Sequence, residues 1–254
     1  MKRSWKMSLR HTGTTLAPLA VLLALALPSS GRPAGASAGH KALSRPPQGN
    51  AGTVLAEEKG KFRILVQGQP AGKEEFEISR HGDDWVAHGT AEIQIPQTPT
   101  TRITSDLRLR PDGTPVRYEW TMQGAKKASA SVDFQGGTAN VELRLEGSKP
   151  FTQQFFFNSP RLVVLDNNLY HQYAILARLY DWQKKGAQTF PVLIPQEMTP
   201  GNITVESLGP QNVEGATLEL LRVHSDDLSL DLLLDGRKLV RIVSPSASAI
   251  VIRE

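Results

Sequence analysis

The chain has 254 residues, a formal net charge of +4 and no cysteine. Zero cysteine excludes disulfides, thiolate metal sites and a cysteine nucleophile. The basic excess lies in the first 38 residues, where Lys2, Arg3, Lys6, Arg10 and Arg32 stand with no acid; subtracting these five from 29 cations leaves 24 against 25 acids, a net −1 that removes nucleic acid from the expected partners.

Residues 2–10 are basic, and Leu16 to Leu27 is an apolar run broken only by Pro18. As a helix this run would span about 18 Å, short of the ~30 Å hydrocarbon core of a bilayer. Ala36-Ser37-Ala38 then supplies an A-x-A cleavage site, so residues 1–38 read as a secretory signal peptide cleaved near Ala38. The expected product is periplasmic or secreted, with no transmembrane segment once the signal is removed. Residues 39–53 are rich in Gly, Pro and Ser and read as a flexible linker. Residues 54–254 then form a single domain.

Alternation of period two dominates that domain. It runs through Lys61–Val66, Glu75–Ser79, Trp85–Ile95, Arg102–Arg110, Val116–Met122, Ala128–Phe134 and Ala139–Leu145. It resumes through Ile203–Ser207, Thr217–Val223, Leu228–Leu234 and Lys238–Val243, with Asp235-Gly236 as a hairpin turn. Short turns imply antiparallel neighbours, because a parallel pair needs a crossover of about a dozen residues. The predicted fold is mainly β: one large curved antiparallel sheet of about a dozen strands in a meander, an unclosed barrel.

The interval 166–183 breaks the alternation. Asp166 or Asn167 is a candidate N-cap, and Lys184-Lys185-Gly186 a stop signal. Leu169, Tyr170, Tyr173, Leu176, Ala177 and Tyr180 form one helical stripe; Ile175, Leu179 and Trp182 lie largely on the other side with His171 and Arg178. A helix apolar over more than half its circumference has contacts on two sides, so it is expected to pack centrally in the concave face of the sheet. The side with His171 and Arg178 is expected to meet a loop, an edge or a groove open to water, where polar groups are not stranded.

Asp166-Asn167-Asn168-x-Tyr170-His171-Gln172-Tyr173, Arg178-x-Tyr180-Asp181 and Gly186-x-Gln188-x-Phe190-x-Val192-x-x-Pro195-Gln196, with Asp112-Gly113-x-Pro115-x-x-Tyr118 earlier, resemble a group of secreted bacterial domains of unknown function. More remotely, a curved antiparallel sheet with a helix in its mouth is similar to the unclosed barrel of LolA-like lipoprotein carriers. That likeness is one of fold and brings no binding residues with it.

Chemical motifs are sparse. Gly35-Ala36-Ser37-Ala38-Gly39 has the G-x-S-x-G form but falls at the cleavage site rather than on a strand–turn–helix. The histidines lack zinc-site spacing, and Asp181 is about 15 Å along a straight helix from His171, too far to orient it. No catalytic residue, metal ligand or cofactor is expected. The expected function is a non-catalytic binding or scaffold module of the bacterial envelope, taking an apolar ligand such as a lipid, or an envelope protein. Tyr170, His171, Tyr173, Trp182 and Phe156 are its candidate ligand-binding residues. The alternatives are an enzyme or enzyme-accessory domain acting on envelope material, and a purely structural domain with a solid core.

Overall fold

The computed structural model describes residues 53–94, 96–226 and 228–254. The expected signal peptide, and all of the expected linker except Thr53, lie outside the described residues. The first strands are β1 (Glu58–Val66), β2 (Gln69–His81), β3 (Asp84–Ile93), β4 (Thr101–Leu109), β5 (Pro115–Gln123), β6 (Ala128–Gln135), β7 (Thr138–Leu145), β8 (Phe151–Phe156) and β9 (Val163–Val164). The one α-helix among the described residues, α1 (His171–Leu179), follows. Then come β10 (Gln188–Ile194), a 3₁₀ turn at Pro195–Glu197, β11 (Thr199–Val213), β12 (Ala216–His224), β13 (Ser229–Asp235), β14 (Lys238–Ser244) and β15 (Ala249–Arg253). Among the described residues no helix is long and apolar enough to cross a membrane.

All fifteen strands form one sheet, in the order β8-β7-β6-β5-β4-β3-β2-β1-β15-β14-β13-β12-β11-β10-β9. The chain therefore differs from a single meander. It walks outward from β1 to one edge at β8, crosses to the other edge at β9, and walks back until β15 pairs with β1, Phe62 opposite Arg253. That crossing forces the curl. Fifteen strands laid flat at ~4.8 Å spacing would hold their edges about 67 Å apart. Phe156 and Val163 are joined by only six residues, a reach of about 25 Å. The sheet therefore wraps into the expected unclosed barrel, its seam between β8 and β9. The β9–β10 pair is parallel, against the expectation of antiparallel neighbours throughout; it is possible because α1 and its flanks supply the crossover.

The inner face carries the core. Phe62 and Ile64 on β1, Phe76 and Ile78 on β2, and Trp85, Ala87 and Ala91 on β3 alternate with exposed or half-buried polar residues. From Leu162 to Ala177 every residue except Asn168 is buried, and beyond β9 the stretch from Leu165 onward forms an internal plug. Helix α1 touches β3 and β14, which flank the central strands β2, β1 and β15, so it lies across the concave face. It is shorter than the interval 166–183. Asn168 takes a left-handed φ of 62°, and Tyr180 is extended at φ −63°, ψ 127°, so neither flank continues the helix.

Candidate functional site

Carboxylates hold the plug: Glu197 accepts from the Asn167 side-chain amide at 2.7 Å, and Glu74, Asp166 and Glu58 supply the more deeply placed anchors. Glu74 lies on the inner face of β2, in phase with Phe76 and Ile78, and is wholly buried. One oxygen, Oε2, accepts from the backbone N–H of Tyr170 at 2.9 Å and of His171 at 3.2 Å. A carboxylate from a distant strand thus caps α1, meeting its orphan donors and the positive end of its dipole. The other oxygen, Oε1, lies 2.6 Å from Nδ1 of His171, which is also wholly buried. An ionised carboxylate only accepts, so the Nδ1 proton points to Glu74. The His171 ring stacks on Phe76 with centroids 6.0 Å apart, and a Cβ at Gly89 would overlap it. Nε2 has no partner.

Asp166 is the second anchor. Its Oδ2 accepts from the Tyr118 hydroxyl at 2.7 Å and its Oδ1 from the Gln196 N–H at 2.8 Å. Its own N–H donates to Gln172 Oε1 at 2.6 Å, while Gln172 Nε2 donates back to the Tyr118 hydroxyl at 3.3 Å. Burial pushes the Asp166 carboxyl up to about 7, against the pull of the Gln196 and Tyr118 hydrogen bonds; the Glu197 charge adds to the rise. Tyr118 rises well above its ordinary value, by burial first and by the Asp166 charge second.

Glu58 is the third. It accepts from Arg178 of α1 at 2.6 Å and from Arg253 of β15, whose guanidinium also lies over the rings of Phe62 and Phe76. Against the expectation from the sequence, the polar side of α1 does not open onto water but turns inward. His171 and Arg178 turn to buried strand carboxylates, which meet the cost of burial by pairing.

Three of the five residues singled out from sequence sit on the plug, Trp182 lies just beyond α1, and of these four only Trp182 lines a cleft. Tyr170 and Tyr173 are buried, with hydroxyls pushed above their ordinary value by burial. His171 is sealed against Glu74. Phe156 is 77% exposed, on the opposite face of β8 from buried Phe155. These four do not converge on one surface. Trp182 is half-buried and lines a cleft of about 490 Å³ with Lys185, Ser207, Gly209, Pro210, Glu219, Gly236 and Arg237.

Local folding explains that cleft. Trp182 is fixed just beyond α1: its Nε1–H donates to the Ala177 carbonyl at 3.2 Å, and it stands edge-on to Tyr180 with centroids 5.1 Å apart. The Tyr180 hydroxyl donates to the Gly186 carbonyl at 2.8 Å and accepts from the Ser207 N–H at 3.3 Å, pinning plug to sheet. The β13–β14 hairpin turns at Gly236, φ 59°, and its next residue, Arg237, lays its guanidinium over the Trp182 ring at 4.5 Å. A second trough, about 690 Å³, lies over the outer face of β1–β4. Its charges neutralise one another: Lys61 with Glu75 at 2.7 Å, Lys59 with Glu77 at 2.9 Å, Lys73 and Arg102 with Glu92 at 3.1 and 3.2 Å. Among the described residues no group of three or more His, Asp and Glu is placed to hold a metal ion.

Sequence reasoning missed Glu58, Glu74 and Arg253. For the two glutamates a signal was present, since each falls on the inner parity of its strand: Glu58 with Phe62 and Glu74 with Phe76. A charge in phase with core residues demands a buried partner.

The sequence gives no match to known protein families or to curated proteins. Among solved structures it is similar to the crystal structure of a β-barrel-like protein of domain of unknown function DUF1849 from Brucella abortus. The TM-score is 0.53 at 8% identity, covering 80% of this chain and 96% of that one. A DUF1089 family protein from Pseudomonas aeruginosa aligns at TM-score 0.40 and 11% identity, over 84% of this chain and 98% of that one, too distant to carry an argument. The first likeness shows a shared β-barrel-like fold, in keeping with the curved β protein expected from the sequence, and it says nothing of ligand or activity.

Proposed function

We propose that the protein is an exported, non-catalytic binding module of the bacterial envelope, and that it binds at the mouth of the unclosed barrel rather than inside it. The observation that carries this reading is the plug. Leu165 to Ala177 occupy the concave face that a LolA-like carrier would leave for an acyl chain, and Glu74, Asp166 and Glu58 anchor them there. An interior lipid would have to expel a helix whose buried ions would lose their partners, at several kcal/mol for each pair. The His171–Glu74 pair has the geometry of an oriented base, yet neither side chain is exposed to solvent, so no substrate meets it. The Trp182 cleft is open to solvent and rigidly built, which suits it to recognition.

Among the described tryptophans Trp182 is half-buried while Trp85 and Trp120 are buried, so a change in indole emission that Trp182→Phe removes reports on the mouth. Purified protein lacking residues 1–38 is titrated with lipid-free and lipid fractions of bacterial envelope. Saturable quenching by a lipid-free fraction, lost in Trp182→Phe and with the added material recovered chemically unchanged, is the expected result. Chemical conversion of the material, or a response confined to lipid, contradicts the reading.

A further inference from the structure

We infer that the Trp182 cleft is an oxyanion site, taking a ligand that presents a carboxylate or phosphate to Arg237 and Lys185. The inference deepens the binding-module reading and rests on it. The supporting contrast is with the trough over the outer face of β1–β4. In the outer trough lysines and arginines are already matched with glutamates. In the Trp182 cleft, Arg237 and Lys185 form no salt bridge with any described residue.

Arg237 is also the arginine whose guanidinium is partly desolvated without a counter-charge. Burial, and then the positive charge of Arg178, pull its pKa below the ordinary arginine range. A cation in that setting gains from an arriving anion more than a fully hydrated one does. Its geometry is fixed in advance, because it is stacked on an indole that is itself held by Ala177 and Tyr180. Lys185 projects from the turn that closes the plug, so both cations border the same opening. Glu219, on the face of β12 that carries buried Leu221 and Val223, is the one acid in the lining. It disfavours a second anion close by and makes the site selective for an oxyanion held toward Arg237.

The test uses the folded protein lacking residues 1–38, with NMR shifts of the Trp182 indole and the Gly209 and Gly236 amides as readout. The probes are glucuronate and glycerol 1-phosphate, with glucose and glycerol as neutral counterparts; the same variants are run against the lipid-free envelope fraction. Saturable shifts with at least one anion and neither neutral probe are expected, and the preferred anion separates a carboxylate source from a phosphate source. Arg237→Gln and Lys185→Gln should each weaken binding about tenfold, the loss of one charge-assisted hydrogen bond. Glu219→Gln should tighten it, and rising salt should weaken it. All three side chains are solvent-accessible, so unchanged melting temperatures confirm that the fold is intact. Equal binding of neutral probes, or binding of the envelope fraction indifferent to Arg237→Gln, overturns the anion inference and leaves the binding module standing. Silence toward every probe and every fraction overturns both.

Discussion

Glu74 does two jobs with two oxygens, capping α1 and receiving the Nδ1 proton of His171. Glu74→Ala would leave two buried N–H groups and an imidazole unpaired, so about 3–5 kcal/mol of stability should be lost in urea unfolding. A loss below 1 kcal/mol would mean that the plug does not depend on this anchor. Asp166 makes a separate prediction about pH. Its folded-state pKa, about 7, stands above its ordinary 3.8, so the folded form binds the proton more tightly. Its contribution to stability is therefore full below pH ~4 and is lost as pH rises toward 7, by up to about 4 kcal/mol. Unfolding free energies measured from pH 4 to 8 should fall more steeply for the natural chain than for Asp166→Asn. Parallel slopes would show that the carboxyl does not titrate in that window.

Strand β15 is five residues long, yet it joins the two halves of the sheet, pairing with β14 on one side and β1 on the other. It also delivers Arg253 to Glu58. Removing residues 249–254 should abolish the cooperative thermal transition, whereas an unchanged melting curve would show that the halves fold without this strand. This element is also where the sequence is least legible. Ala249-Ile250-Val251-Ile252 is continuously apolar and gives no period-two signal, and β10 mixes Pro191 with the unbroken run Val192-Leu193-Ile194. Pro191 is tolerated because β9 pairs only with Val192 and Leu193, leaving one side of β10 open at that point. The alternating strands and the presence of one central helix could be read directly, because each rests on local periodicity. The N-cap could not. Asp166 looks like the local cap, but it is committed to Tyr118 and Gln196, and the group that caps α1 stands 96 residues away. Of the five residues singled out as ligand-binding, Trp182 lines a cleft. Pairing Trp182 with Arg237 required knowing that a hairpin tip folds back onto the end of the plug.

At the scale of the molecule, the order of the strands and the plug belong together. The walk out to β8 and back from β9 places the two sheet edges on consecutive chain, and the stretch that leaves β9 enters the concave face directly. The barrel is thus closed functionally by its contents rather than by a last row of hydrogen bonds. The recognition surface that we propose lies at the mouth, where Tyr180, Trp182 and Arg237 gather. Amide hydrogen exchange on the chain lacking residues 1–38, with and without phospholipid, tests this most directly. The amides of Tyr170–Leu179 should exchange as slowly as those of the central strands β1 and β2, and phospholipid should leave them unchanged. Fast exchange across α1, or loss of its protection when lipid is added, would mean that the plug leaves the barrel and that the interior is a ligand chamber.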